Sequence, residues 1–317
     1  MLPGRFHRDV ARANRALRRV VGLAPRWPLA GDGSRQRGLE AATARDIRRF
    51  RARRPDPGRR APDFVIIGAP KCATSWLRRA LAGHPAIAIA GEEIEFFSSN
   101  LEMGLSAYLD RLAEGSSALD ATGLAARRPY AECRLGEKSA SLCVMPEARI
   151  RLMRDLMPDA KLILMIRDPV NRHWAHAKRF FGLRLFGTKG SFDPAAIPAG
   201  DLAEFFRRTK ALGEYSLMLE RWGGIYGGAA MLTIVLEEIA RDPAAVVRQA
   251  LAHIGAPADA AVEAGASLRK RRNRGPDMPM PEGVEASLLA LFAPEYERLR
   301  GLLGERVLAT WPLRYGP

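Results

Sequence analysis

The sequence predicts an α/β fold in which a mostly parallel central sheet is flanked by helices. Three apolar runs, at residues 64–68, 161–166 and 230–236, are each followed by a segment with helical spacing. Short apolar runs of this kind are typical of strands buried on both faces, and strands that alternate with helices form parallel sheets. Ligands of such sheets bind beyond the carboxyl ends of the strands, so we expect the functional residues there.

The most informative stretch is residues 64–75, which read F-V-I-I-G-A-P-K-C-A-T-S. It predicts a buried strand that ends at Gly68, a tight turn, and a helix that begins at Thr74. The first turn of a helix exposes unpaired N–H groups and the positive end of the helix dipole, so it attracts anions. Lys71 adds a positive charge, and the hydroxyl groups of Thr74 and Ser75 add hydrogen-bond donors. The stretch therefore predicts a site for a phosphate or sulfate group.

A structural role without ligand binding stays open for residues 64–75. The stretch does not match the nucleotide-triphosphate loop G-x-x-x-x-G-K-[ST], because Lys71 follows Gly68 by three residues and no Gly-Lys-Ser follows. A strand, a turn with proline and lysine, and a helix also form ordinary surface turns that bind nothing.

The net charge of +15 is concentrated at the start of the chain. Residues 1–60 hold 17 Arg, no Lys and 5 acidic residues, which leaves 17 − 5 = +12 there and about +3 for the other 257 residues. Residues 5–21 place apolar residues on one helical face and arginines on the others, which is typical of a helix on an anionic membrane surface. A solvated extension explains this pattern equally well. Because the charge lies in an arm, we expect no specific nucleic-acid partner.

The cysteine content and the hydropathy indicate a cytoplasmic protein. Residues 5–21 could in addition attach it to a membrane surface. No run approaches the roughly 18–20 apolar residues of a membrane span, and the basic start lacks the apolar core of a signal peptide. Cys72, Cys133 and Cys143 fit no metal-ligand spacing and cannot all pair, which favours a reducing compartment. His84, His173 and His176 lack partners for a metal site or a triad, so we expect no metal.

The remaining helices, strands and loops are predicted from the periodicity of apolar residues and from the glycine and proline residues that interrupt it. Glycine and proline make residues 22–38 a linker, and Pro-Asp-Pro-Gly-Arg-Arg at 55–60 separates a basic arm and linker (1–60, partly helical or disordered) from a domain (61–317). Pro169 and Asp242-Pro243 suit the first turns of helices, and Gly255 suits a helix end. The predicted helices are 39–53, 74–83, 103–114, 146–157, 169–181, 201–210, 214–222, a helix from 242 to 255, 281–292 and 294–303. A short strand is predicted at 86–90, a looser region around 136–141, a Gly/Pro loop at 183–200 and a basic loop at 270–274.

Four motifs in order carry a resemblance to a known family. They are G-A-P-K-C-A-T-S at 68–75, E-E-I-E-F-F at 92–97, E-K-S at 137–139 and L-I-L-M-I-R-D-P at 162–169. The chain resembles the sulfotransferases that use 3′-phosphoadenosine 5′-phosphosulfate (PAPS), most closely the heparan-sulfate-type and bacterial branch, from about Phe64 to Leu303. The resemblance implies a P-loop-like sulfotransferase fold, with PAPS as the co-substrate.

The resemblance also implies how the donor is held. Lys71 would hold the 5′-phosphosulfate, and the loop residues Cys72, Ala73, Thr74, Ser75 and Trp76 would complete the cradle. Arg167 matches the position that grips the 3′-phosphate, and an arginine fork suits such an anion. Two departures from the family pattern bear on donor affinity. Ala73 stands where the family usually has Gly, and Ala175 stands where it usually has a Ser that binds the 3′-phosphate. Arg172 or Arg274 would then assist Arg167.

For the chemical step, Glu93 matches the family's general base, and Lys138 matches a lysine near the transferred group. Removing a proton from a weakly acidic hydroxyl requires a positioned base. Glu92 and Glu95 compete with Glu93 for this role, and in an extended segment Glu93 and Glu95 would share a face.

We therefore predict transfer of a sulfuryl group from PAPS to a hydroxyl or amine of an acceptor, with a carbohydrate favoured by the resemblance and a small molecule as the alternative acceptor. Two other functions stay open. An ATP-dependent kinase would need Mg²⁺, with Thr74 or Ser75 and Asp168 as ligands. A non-catalytic binding protein would depend on the basic arm.

Overall fold

The core of the protein is a five-stranded, all-parallel sheet. The computed structural model describes residues 33–54, 56, 58–117, 129–185, 187–188, 190–257 and 278–311. The strands are β1 (Phe64–Gly68), β2 (Ile87–Ile89), β3 (Arg134–Lys138), β4 (Lys161–Ile166) and β5 (Met231–Val235). Their order across the sheet is β2-β3-β1-β4-β5, and every neighbouring pair is parallel. All five residues of the central strand β1 are buried. The predicted α/β class is confirmed.

Helices cover both faces of this sheet, as its buried strands require. They are α1 (Gly33–Arg51), α2 (Thr74–Ala82), α3 (Phe96–Ser99), α4 (Gly104–Ser117), α5 (Glu147–Leu156), α6 (Pro169–Leu185), α7 (Ala199–Thr209), α8 (Tyr215–Tyr226), α9 (Leu236–Arg241), α10 (Pro243–Ile254), α11 (Glu282–Leu303) and α12 (Glu305–Leu308).

Most predicted elements are confirmed, and the boundary signals act as expected. The Asp242 side chain accepts a hydrogen bond from the backbone N–H of Ala245 at the start of α10, and Gly255 ends that helix in the left-handed conformation (φ 69°). Two predictions, one of a pair of helices and one of a loop, are wrong in detail. The helices expected at 281–292 and 294–303 form one helix, α11, which contains Pro294. Part of the loop expected at 183–200 belongs to the end of α6 and the start of α7.

Strand β3 lies where the sequence predicts a looser region. Its charged residues Glu137 and Lys138 hide the strand pattern, but both are buried and both have partners. Gly136 sits beneath the aromatic ring of Phe64, where a Cβ atom would come within 2.1 Å of Cζ. The strand therefore depends on contacts from distant residues, which no local pattern can reveal.

The helix predicted at 39–53 is confirmed but begins earlier, at Gly33, so residues 33–38 are not linker. Helix α1 packs on the body of the protein through the buried residues Thr43 and Ile47, and Glu40 forms an ion pair with Arg149 at 3.0 Å. The division of the chain at residue 60 into an arm and a domain stays a prediction, since part of that arm contributes to the core.

Three sequence predictions fall wholly or partly outside the described residues: the amphipathic segment 5–21, residues 22–32 of the predicted linker, and the basic loop 270–274 with Arg274. Within the described parts of the chain, no helix is long and apolar enough to cross a membrane.

The Phe64–Gly136 contact gives a stability prediction. Gly136→Ala should lower the free energy of unfolding by about 1–3 kcal/mol, because the added methyl group overlaps a buried ring in the middle of the sheet. Gly283→Ala is the matched control, since its Cβ would meet nothing within 4 Å on an exposed helical turn. Urea unfolding of the two variants measures the difference, and equal stabilities would contradict the tight contact.

Candidate active site

The site lies at the carboxyl edge of the sheet, where two neighbouring strands end in cationic segments. β1 pairs directly with β4, with Gly68 opposite Leu164. Lys71 follows the end of β1 by three residues, and Arg167 follows β4 directly. The structure thus places both predicted anion-binding residues at the same rim of the molecule.

The loop between β1 and α2 has a curled backbone. Lys71 and Ala73 both adopt positive φ values, 71° and 65°, with Cys72 between them. Alternation of this kind turns successive N–H groups towards one side and forms a concavity suited to an anion. The N–H groups of Thr74 and Ser75 lie in the first turn of α2, where no preceding carbonyl accepts from them. Ala73 thus takes up the left-handed conformation for which glycine is the easier residue.

Lys71 lies in a strongly positive environment. Burial, together with repulsion from Arg179 and Arg172, lowers the pKa of its ammonium group to about 8, while Glu93 acts in the opposite direction. Arg179 is exposed and lies two turns beyond Arg172 on α6, so these residues belong to one face of the helix. The sequence analysis missed Arg179, although its helical spacing from Arg172 was a usable signal.

Arg172 lies beneath the loop rather than in it. Its side chain is fully buried, and Nε donates to the Pro70 carbonyl at 3.1 Å. The remaining nitrogens face His173 and His176 at 3.1 and 3.3 Å. Burial and the Arg172 charge lower the pKa of His173 to about 3, so this imidazole is neutral. Arg172 therefore supports the loop from below and adds positive charge to it.

Two further side chains hold the loop from the interior. Cys72 is fully buried, and its Sγ lies 3.7 Å from the hydroxyl group of Tyr215. Burial raises the pKa of this thiol to about 11, so Cys72 can meet an anion only through its backbone. Tyr215 is also hydrogen-bonded to the backbone of Arg167 and so connects the two cationic segments. Trp76 is half-buried and packs against the hydrophobic core, and Thr74 is buried.

Arg167 is half-buried, and its Nε atom is buried without a hydrogen-bond partner among the residues that the structure describes. An unpaired buried donor is costly, which indicates that a ligand completes it. Asp168 beside it accepts hydrogen bonds from the N–H of Val170 at 2.9 Å and from the hydroxyl of Tyr296 at 2.8 Å. This carboxylate therefore anchors the start of α6.

The predicted base approaches the loop from the other side. Glu93 forms an ion pair with Lys138, the last residue of β3, and accepts from the N–H of Ala140 at 3.4 Å. The Lys138 ammonium group also donates to the Ser75 hydroxyl at 3.4 Å. Burial by itself raises the pKa of Glu93, but hydrogen bonds from Glu95 and Lys138 and the charge of Lys138 outweigh it and hold the pKa below its usual value. Glu93 is thus ionised at neutral pH.

The other two acids of the motif differ in position. Glu92 is exposed, whereas Glu95 is half-buried and hydrogen-bonded to Glu93. An extended segment would place Glu93 and Glu95 on one face, but Glu95 adopts a left-handed backbone (φ 55°) before α3. Arg78 is a second residue that the sequence analysis missed. It lies close enough to Glu93 for attraction, and its buried Nη1 has no partner among the described residues.

No group of His, Cys, Asp and Glu residues that could hold a metal ion occurs in the described ranges. The arrangement places the carboxylate of Glu93 and the ammonium groups of Lys71 and Lys138 beside the loop that begins α2. Such a set suits transfer of an anionic group to a nucleophile that the base deprotonates.

A family model described as "Sulfotransferase family" matches residues 62–260, more than half of the chain. The chain belongs to the sulfotransferase family. Human heparan sulfate glucosamine 3-O-sulfotransferase 6 is 30% identical over 201 residues, covering 60% of this sulfotransferase and 52% of that protein. Mouse bifunctional heparan sulfate N-deacetylase/N-sulfotransferase 4 is 28% identical over 211 residues, covering 61% and 22%.

This sulfotransferase spans about half or less of the length of those two relatives. Among solved structures, a sulfotransferase from Alicyclobacillus acidocaldarius is similar, with a TM-score of 0.53 and 28% identity over 76% of this chain and 95% of that one. The likeness confirms the predicted sulfotransferase fold, and membership of this family supports the predicted enzyme class.

The lowered pKa of Lys71 gives a pH prediction. Above pH 8 the ammonium group loses its proton, so affinity for inorganic sulfate should fall roughly fivefold between pH 8 and pH 9. Sulfate is a suitable probe because its own charge is constant over this range. Lys71→Arg is the matched variant, since arginine stays charged and should remove most of this decline. Calorimetric titration measures both, and an equally steep decline in Lys71→Arg would assign it to another group.

Proposed function

We propose that this sulfotransferase moves a sulfuryl group from PAPS to a hydroxyl or amine of a carbohydrate acceptor. The observation that carries the proposal is the placement of Lys71 and Arg167 at the ends of neighbouring strands, with Glu93 and Lys138 beside the same loop. Two cationic positions side by side suit a nucleotide that carries phosphate at both its 5′ and 3′ positions, a feature that separates this donor from ATP.

The residues present fit such a donor. The curled loop from Lys71 to Ser75 offers N–H groups for the 5′ end. The unpaired Nε of Arg167 offers a charged donor for the 3′-phosphate. Arg172, which the sequence analysis grouped with the donor ligands, contributes through its charge and its support of Pro70. Lys71 carries its proton at neutral pH, and an anion bound beside it stabilises that form further.

In the transfer, the acceptor oxygen or nitrogen forms a bond to sulfur as the bond between sulfur and the 5′-phosphate oxygen breaks. Glu93 takes the proton that the nucleophile loses, because its carboxylate is ionised and 38% exposed. Lys71 neutralises the charge that develops on the departing phosphate oxygen. Lys138 holds Glu93 in place and lies at hydrogen-bond distance from Ser75 in the loop. Adenosine 3′,5′-bisphosphate is the second product.

A carbohydrate acceptor is supported by the relatives, whose names state that they act on heparan sulfate or its glucosamine. The unpaired Nη1 of Arg78 near Glu93 adds a donor for an acceptor group on the base side of the site. Screening labelled PAPS against glycans, lipids and small alcohols tests the acceptor class directly. Transfer to lipids or alcohols alone would contradict the carbohydrate assignment.

Donor recognition gives the first prediction of this function. Arg167→Ala should weaken binding of adenosine 3′,5′-bisphosphate by about 10- to 100-fold, the effect of losing a hydrogen bond to a charged group. Binding of adenosine 5′-monophosphate, which lacks the 3′-phosphate, should stay within about twofold. Arg151→Ala is the control, because this arginine is exposed on α5. Calorimetry without Mg²⁺ measures bisphosphate binding to all three proteins. A separate titration of the wild type with Mg-ATP that shows tighter binding than the bisphosphate would refute the proposal.

Base catalysis gives the second prediction. Glu93→Gln should lower kcat by about 10²- to 10⁴-fold and leave bisphosphate affinity largely intact, because the amide cannot take a proton. Lys71→Ala should nearly abolish turnover. Glu102→Gln serves as the control, since Glu102 is an exposed acid outside the site. Radiolabelled transfer assays give the rates, and wild-type turnover in Glu93→Gln would remove the base assignment.

A further inference from the structure

The backbone at Glu95 is held in an uncommon conformation by several contacts. Its φ of 55° and ψ of 30° are left-handed, which costs a residue with a Cβ atom about 1–2 kcal/mol. The Glu95 N–H donates to the Ser139 hydroxyl at 3.0 Å, and that hydroxyl donates to the buried Glu137 at 2.6 Å. The next two residues, Phe96 and Phe97, are buried against Tyr108. The fold therefore determines where the Glu95 side chain points.

The Glu95 carboxyl group is enclosed by hydroxyl donors on one side and a second carboxyl group on the other. Its Oε2 atom accepts from the hydroxyls of both Ser98 and Ser141, and those two hydroxyls lie 3.0 Å apart. The same carboxyl group is also in hydrogen-bond contact with that of Glu93. Two carboxyl groups in hydrogen-bond contact share one proton, because adjacent negative charges repel.

The surrounding charges decide which carboxyl group keeps the proton. Glu93 faces Lys138 and lies within attraction of Lys71 and Arg78, all of which favour its ionised form. For Glu95, the neighbouring charges on Glu93 and on Glu137 of β3 both disfavour the ionised form. Burial, the hydrogen bond with Glu93 and this repulsion together raise the pKa of Glu95 to about 8. The two acids therefore differ in charge at neutral pH, although they are two residues apart.

We propose that Glu95 is a positioning residue which, as a neutral carboxyl group, donates a hydrogen bond to Glu93 and holds that base ionised and oriented towards the acceptor. This inference rests on the proposed function, since Glu93 is the base there. The two serines fix the oxygen of Glu95 that accepts, which leaves its other oxygen to carry the proton towards Glu93.

Kinetics of two variants test the positioning role. Glu95→Ala removes the donor and should lower kcat by 10- to 100-fold, and it should move the acidic limb of kcat/KM to higher pH because Glu93 loses a stabilising bond. Glu95→Gln keeps both features, an oxygen for the serines and an N–H for Glu93, and should stay within about threefold of wild type. Equal losses in the two variants, or an unmoved acidic limb in Glu95→Ala, would overturn the proposal.

Stability against pH tests the shared proton without any assay of transfer. The folded protein holds the Glu95 proton more tightly than the unfolded chain, so wild type loses stability as the pH rises from about 4.5 to about 8. Glu95→Gln has no proton to lose. Its Tm relative to wild type should therefore rise steadily between pH 5 and pH 8, while Glu102→Gln should show a constant difference.

A Tm difference for Glu95→Gln that does not change with pH would overturn the proposal whatever reaction the enzyme catalyses. If the wild-type protein transfers no sulfuryl group but the Tm difference for Glu95→Gln still rises with pH, the proposed function and the positioning role are refuted. The shared proton of the carboxyl pair would still stand. Calorimetric scans and transfer assays on the same preparations separate these outcomes.

Discussion

The ion pair between Lys138 and Glu93 is the interaction on which the geometry of the site depends. The side chain of Lys138 is 5% exposed and that of Glu93 is 38% exposed, so the pair joins the interior of the sheet to its open rim. Leaving such a buried ammonium group without its partner is unfavourable, which holds the acidic segment against β3. Because β3 lies directly beside β1, the same contact sets Glu93 next to the loop that carries Lys71.

Backbone strain is concentrated at the same rim. In the part of the chain that the structure describes, the non-glycine residues with positive φ are Lys71, Ala73 and Glu95. Two of them shape the loop between β1 and α2, and the third turns the chain between Glu93 and α3. Conformations of this kind persist where the surrounding structure determines them, and they cluster at functional sites. The buried contacts under the loop, from Arg172 to Pro70 and from Tyr215 to Cys72, supply that support.

Electrostatics at the rim are arranged by burial as much as by charge. Arg172 is buried beside His173, whose low pKa keeps it neutral, so the imidazole adds no positive charge of its own next to the guanidinium group. Lys71 has a lowered pKa because water is excluded and Arg179 and Arg172 lie near. A bound anion would therefore strongly stabilise the protonated form of Lys71. The two neighbouring acids, Glu93 and Glu95, are treated differently by their surroundings. Lys138 favours the charge on Glu93, whereas the hydroxyl groups of two serines donate hydrogen bonds to Glu95.

The sequence by itself determined the parallel α/β class, the strand–loop–helix unit at 64–82 and the family, because these depend on local apolar runs, breakers and the spacing of motifs. It also indicated Lys71, Glu93, Lys138 and Arg167 as candidates through the resemblance. Tertiary structure decided the rest. Strand β3 is charged along its sequence and exists because Tyr108, Phe64 and Glu93 meet it from far along the chain. The sequence suggested Arg172 as a donor ligand, but its side chain is buried under Pro70. Arg179, two turns further along α6, adds to the positive charge around Lys71. Burial and through-space partners set these roles, and neither is encoded in neighbouring residues.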